Sequence, residues 1–173
     1  MTWTAPAVDR RTFVFVGDER TQLRGWLDYY RDTLLWKCAG LTADQLKTAS
    51  VEPSSLTLLG LVRHMAEVER GWFRIRSGGQ DLPWIYCTDD HPDGDFDDVP
   101  TADAAADLDL FRAECAAADA ALAGVPLDDH FQHPGRGHEI SVRWAVNHVI
   151  EEYGRHCGHA DLIRERIDGA TGA

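Results

Sequence analysis

The chain has 173 residues and a formal net charge of -12, with 17 Lys and Arg against 29 Asp and Glu. That length suits one domain, spanning 1–173, with a sizeable core, and the acidic balance argues against nucleic-acid binding, which shows as a basic patch or stripe. The apolar stretches are short and interrupted, so neither a membrane span nor an N-terminal signal segment is expected. The four cysteines, Cys38, Cys87, Cys115 and Cys157, form no CxxC pair, and free thiols in a reducing cytoplasm are expected. Arg outnumbers Lys fifteen to two, and Ala, Asp and Gly are abundant, the composition of a GC-rich bacterial genome.

Residues up to Gly17 are poorly patterned; Phe13, Val14, Phe15 and Val16 fit a short extended piece or a tail packed on the domain. Asp18 is a fitting N-cap and Glu19 suits the positive end of a helix dipole. Leu23, Trp26, Leu27, Tyr30, Leu34 and Leu35 then recur at three and four, predicting a first helix over 18–38 ended by Gly40. Thr42 and Gln45 make a capping-box pattern over a short turn of helix. Pro53 and Ser55 introduce a second long helix, 55–77, with Leu58, Leu61, Val62, Met65, Val68, Trp72 and Ile75 on its apolar face and Gly78 and Gly79 at its end.

Residues 80–100 hold seven Asp, no Lys or Arg, and Pro83, Pro92, Gly94 and Pro100, so a loop is expected, with Trp84, Ile85 and Tyr86 packing back onto the helices. The run Asp89, Asp90, Asp93, Asp95, Asp97, Asp98 lacks the ligand spacing of an EF-hand and reads as solvated. Thr101 is expected to cap a third helix over 101–123. A second loop, 125–140, carries His130, His133 and His138, which could overhang a site, with Gly135 and Gly137 making the loop mobile. Ser141 caps the fourth helix, 141–168, closed by Gly169. Four amphipathic helices and almost no strand pattern predict an all-α four-helix bundle. The 20-residue acidic link is long for antiparallel neighbours and implies a crossover between helices two and three.

His148, Glu152, His156 and His159 lie on the fourth helix at spacings of four, four and three. At about 100° per residue they fall within a stripe of roughly 80°, on the side of the core residues Ala145, Val149, Ala160 and Ile163. Imidazoles and a carboxylate facing a core are costly unless satisfied, by a divalent ion or by a separate hydrogen-bond partner for each. Ligands at i and i+4 reach one ion, as in the HExxH zincins, and both His148–Glu152 and Glu152–His156 have that spacing. His64, mid-helix between core positions, is the one His in the first three helices and supplies a third donor from a facing helix. Cys157 points about 100° away from His156 and is expected to be a packed or exposed thiol, and no base neighbours Cys87. Arg63 and Arg155 are expected in helix ion pairs with Glu67 and Glu151, or on an anionic substrate.

The segment Asn147–Glu165, with the helix-two segment Leu58–Trp72 centred on His64, resembles the DinB superfamily, and most closely its actinobacterial mini-circle protein branch. The resemblance implies a four-helix bundle holding one divalent metal, zinc or nickel, through three side chains. Glu152 stands where many members have His, a set similar to that of the mycothiol-dependent maleylpyruvate isomerases. Carried over, the ligands are His64, Glu152 and His156. His159 stands where many relatives have Gln, as a fourth ligand or as a partner behind the first three, and His148 has the same two roles open. The implied chemistry is S-transfer or isomerisation of a small molecule using mycothiol or another low-molecular-weight thiol activated at the metal. The alternatives are a metal-dependent hydrolase with Glu151 or a loop His as base, and a non-enzymatic metal-binding protein. Many such relatives pair through their helices, which leaves a homodimer open as an alternative to the single chain.

Overall fold

A computed structural model describes residues 2–133 and 137–172; Gly135, expected to loosen the second loop, lies outside them. The chain runs α1 (Glu19–Cys38), α2 (Ala43–Leu46), α3 (Leu58–Glu69) continued by a π-helix over Arg70–Ser77, α4 (Gly94–Asp97), a 3-10 turn (Val99–Thr101), α5 (Ala104–Leu122), β1 (His130–Gln132), β2 (Glu139–Ser141) and α6 (Val142–Asp168). The long helices start where short polar side chains can take up free backbone N–H groups. Asp18 accepts from Thr21, Ser141 from Trp144, and Thr42 with Gln45 forms the full capping box. Two expected caps are displaced: Thr57 rather than Ser55 starts α3, and Asp103 rather than Thr101 starts α5, because Thr101 closes the 3-10 turn. Gly169 ends α6 in the left-handed region, at φ 79°.

Ion pairs give the helix directions. Arg63 meets Asp107 while Arg70 and Arg74 meet Glu114, so α3 and α5 run parallel. Glu19 meets Arg143 while Lys37 meets Asp161, so α1 and α6 also run parallel. Glu69 touches Tyr153 while Trp72 touches His148, so α3 and α6 are antiparallel. The bundle is therefore two parallel pairs facing in opposite senses. Parallel α3 and α5 require the long link to travel back along α3, which is the expected crossover. It is pinned on the way: Ile85, Tyr86 and Cys87 donate their N–H groups to Glu67, and Arg63 donates to the carbonyls of Gly94 and Asp95.

The four long helices meet in an apolar core that includes Leu34, Met65, Phe73, Phe111 and Tyr153. At its centre one residue from each helix joins a buried polar network. Arg31 of α1 grips both oxygens of Glu69 on α3, at 2.7 Å each, and reaches Asp119 of α5; the Tyr153 hydroxyl of α6 donates to Glu69 at 2.7 Å. The N-terminal stretch is a tail packed on the domain: Ala5 exchanges backbone hydrogen bonds with Gly40 and Leu41, and Phe13 stacks on Tyr29.

Three stretches differ from their sequence pattern. The expected α-helix widens into a π-helix over Arg70–Ser77, with the Ser77 hydroxyl donating to the Trp72 carbonyl five residues back. The acidic link holds two short helical turns, because Phe96 packs inward and draws Gly94–Asp97 into a turn. The second loop is an antiparallel hairpin pairing His130 with Ser141 and Phe131 with Ile140, since Phe131 packs against the core and Ile140 is buried.

Candidate metal centre

α3 and α6 cross where His64 faces His156, with ring centroids 4.8 Å apart. One donor atom from each of His64, Glu152 and His156 lies within 4.8 Å of the other two. Glu152 and His156 are one turn apart on α6, and their facing atoms, Oε2 and Nε2, are 3.3 Å apart. Tetrahedral ligation at about 2.1 Å puts donors about 3.4 Å apart, the spacing Glu152 and His156 already have, so any drawing-in falls to the approach of His64 across the helix seam. Two imidazoles and one carboxylate suit zinc and leave a fourth position open. The donor set therefore fits the divalent ion implied by the sequence.

The surroundings prepare each donor. His64 Nδ1 lies 2.8 Å from Asp95 Oδ2. An ionised carboxylate only accepts, so Nδ1 carries the proton and the Nε2 lone pair is left for an ion. His156 has its pKa pushed down to about 4, by burial first and then by the neighbouring imidazoles, so it is neutral at pH 7 and able to donate a lone pair. Its Nδ1 lies 3.3 Å from Nδ1 of His159. His159 thus touches the side of His156 that faces away from Glu152, behind the donor and not among the three that converge. His148 lies 3.6 Å from the second oxygen of Glu152 and also 3.6 Å from Glu151, and its ring stacks on Trp144 and meets Trp72 edge-on. Among the described residues His148, Glu151 and Glu152 make a second triplet of donor atoms within 4.8 Å, sharing Glu152 with the first.

Other expectations resolve around this centre. His133 reaches the Trp72 ring edge and lies beside His138, so the hairpin does stand over this end of the bundle, while His130 sits at the start of β1 opposite Ser141. Arg155 pairs with Glu151 as expected. Arg63 does not pair with Glu67; it ties down the acidic link and Asp107, with its guanidinium 3.8 Å from the Tyr86 ring. All four cysteines are free thiols. Burial pushes Cys38 and Cys157 up to about 12 and Cys87 up to about 11, so none is a ready thiolate. Cys157 donates to the Tyr30 carbonyl, pointing away from the donors.

Asp95 is the residue the sequence hid. It belongs to an acidic run that reads as solvated, yet it is buried and bonded to His64. The one available signal was Phe96, a large apolar residue inside that run. Gly94 allows the approach: a Cβ there would stand 2.3 Å from the Tyr86 carbonyl oxygen.

No curated protein matches the chain. Among solved structures it is similar to YfiT from Bacillus subtilis, described as a probable metal-dependent hydrolase with an unusual four-helix bundle topology. The TM-score is 0.65 and the identity 19%, over 93% of this chain and 95% of that one. At that identity the likeness concerns the fold. No helix among the described residues is long and apolar enough to cross a membrane. The family model for mycothiol S-transferases matches residues 22–169, a span that takes in both donor-bearing helices, and the chain belongs to that DinB-type family.

Proposed function

We propose that this chain is a metal-dependent enzyme that uses a low-molecular-weight thiol such as mycothiol, in S-transfer to a small molecule or in its isomerisation. His64, Glu152 and His156 are its ligands, and zinc or nickel is the ion. The observation that carries the reading is the convergence of these three donors from two helices, with Asp95 already bonded behind His64. When bound, a divalent ion with an open position lowers the pKa of a thiol it holds and keeps it as thiolate at neutral pH. The chain's own residues do the rest. Asp95 fixes the His64 tautomer, His159 steadies the His156 ring and His148 orients the Glu152 carboxylate. Trp72 and Trp144 pack against the His148 ring and hold it in place. The same reading has the protein act in the cytoplasm as a single helical domain, alone or as a homodimer.

The test is metal content by mass spectrometry on protein purified without a nickel column, beside His64→Ala and Glu152→Ala, followed by thiol-dependent labelling of a fluorogenic electrophile. About one equivalent of metal, lost in both variants together with labelling, is expected. Labelling that survives metal loss would overturn the proposal. A hydrolase is the second reading, favoured by the Bacillus subtilis neighbour's description and by the His148–Glu151 contact, which offers a base beside the donors. Turnover of an ester or amide without any thiol would decide for it.

A further inference from the structure

The cleft that leads to His64 has a wall that the three donors do not explain. It is a cavity of about 330 Å³ whose lining includes His64, Trp72, Trp84, Phe96 and Arg76. Phe96 stacks on the His64 ring at 5.3 Å. The Arg76 guanidinium lies 4.6 Å from the Trp72 ring and 5.4 Å from the Trp84 ring. The arrangement is built into the backbone. A Cβ at position 71 would stand 2.7 Å from Trp84 and 2.8 Å from the Arg76 guanidinium, so Gly71 is what lets both lie over the helix. Trp72 and Arg76 both stand on the π-helix, four residues apart.

Arg76 differs from the arginines that tie the helices of the bundle together. Arg31, Arg63, Arg70 and Arg74 each hold a carboxylate. Arg76 is half-buried and has no carboxylate partner among the described residues, and burial pulls its pKa down with nothing opposing. A desolvated guanidinium without a counter-charge is costly, and a ligand's anionic group would offset that cost. The other charges of the lining are the carboxylates Glu67, Asp93 and Asp95. Glu67, 5% exposed, keeps one buried oxygen without a hydrogen-bond partner. The cleft is thus cationic at the Arg76 end alone, flat and aromatic along its length, and opens on His64.

We propose that this cleft binds the acceptor substrate, and that the acceptor is a planar, conjugated or aromatic carboxylate. Its carboxylate pairs with Arg76, its flat body lies against Trp72, Trp84 and Phe96, and its far end reaches the donor cluster. The assignment of the acceptor's role rests on the thiol-transfer reading; the pocket's preference for a flat anion does not.

The test is binding rather than turnover. Full-length, metal-loaded protein labelled with ¹⁵N at tryptophan is titrated with trans-cinnamate and with its neutral isostere cinnamamide, following the indole N–H signals. Cinnamate is expected to shift the Trp72 and Trp84 signals and to bind at least about fivefold more tightly than the amide, as a desolvated charge-assisted pair implies. Arg76→Gln should abolish that preference, Arg76→Lys should retain most of it, and Gly71→Ala should weaken both ligands. Equal affinities, unmoved Trp72 and Trp84 signals, or a preference that survives Arg76→Gln would each overturn the proposal. If Arg76→Gln fails to fold, the comparison of cinnamate with cinnamamide on the parent and Arg76→Lys decides. Glu152→Ala separates this from the metal reading. A preference that persists there upholds the pocket whatever the fate of the donor set; one lost there but kept in Arg76→Gln would show the ion, not Arg76, taking the carboxylate.

Discussion

Removing the charge behind His64 should weaken metal binding without touching a ligand. Asp95 Oδ2 is 2.8 Å from His64 Nδ1, and its side chain is only 6% exposed, so little water screens the pair. Asp95→Asn keeps a carbonyl oxygen able to accept from Nδ1–H, preserving the tautomer, but replaces a charge-assisted hydrogen bond with a neutral one. That difference is about 1–1.5 kcal/mol, or about tenfold in metal affinity. Asp95→Ala removes the acceptor as well and leaves a partly buried N–H unpaired, about 1–3 kcal/mol, so the loss should approach a hundredfold. The backbone contacts to Arg63 remain in both variants, so the link should stay docked. The assay is competition for Zn²⁺ against a chromophoric chelator at fixed pH, with a thermal melt of each apo-protein to confirm folding. Equal affinities in the parent and both variants, or a larger loss in Asn than in Ala, would refute the argument.

Three further outcomes follow from the same contacts. His156 has a folded pKa of about 4 against an ordinary 6.5, so between those values the unfolded chain binds more protons. Apo-protein stability is therefore fully present above pH 6.5 and falls as the pH drops toward 4, by at most about 1.4 kcal/mol per pH unit from this group. Denaturant melts at several pH values should show a shallower dependence in His156→Gln, and identical profiles would sink the claim. Glu69→Ala leaves Arg31 buried with only Asp119 and Asp28 near it, and should destabilise by about 3 kcal/mol, against about 1 for Tyr153→Phe; a smaller loss in Glu69→Ala than in Tyr153→Phe by chemical denaturation would contradict the network. Cys38, Cys115 and Cys157 should resist alkylation in native protein at pH 8, with Cys87 slow, as judged by mass spectrometry; rapid loss of any of the first three would show the interior to be more open than this.

The helices and the donors were legible because each leaves a periodic trace. Leu58, Leu61, Val62 and Met65 mark one face of α3, and His148, Glu152 and His156 one stripe of α6, whatever lies opposite. His64 could be paired with them because the first three helices offered no competing histidine. What lay beyond the pattern was long-range. Asp95 is one of seven Asp in a link, and only the pinning of that link by Glu67 and Arg63 singles it out. The π-helix was invisible because Arg70–Ser77 continues the apolar spacing of α3, and the extra residue per turn has no composition of its own. The hairpin was missed because strands of three residues are too short to show alternation.

Placing the donors on antiparallel α3 and α6 also sets the order in which the protein can mature. Glu152 and His156 come together as soon as one turn of helix forms. His64 joins them only once α3 has docked on α6. An ion held by all three donors would then report on completed docking and fasten α3 to α6. The melting temperature should rise with free metal concentration, by about 2.7 kcal/mol in stability at a hundred times the dissociation constant. If the three donors hold an ion, chelation would remove that increment, and the metal supply, beside the core, would bear on how long a folded copy survives.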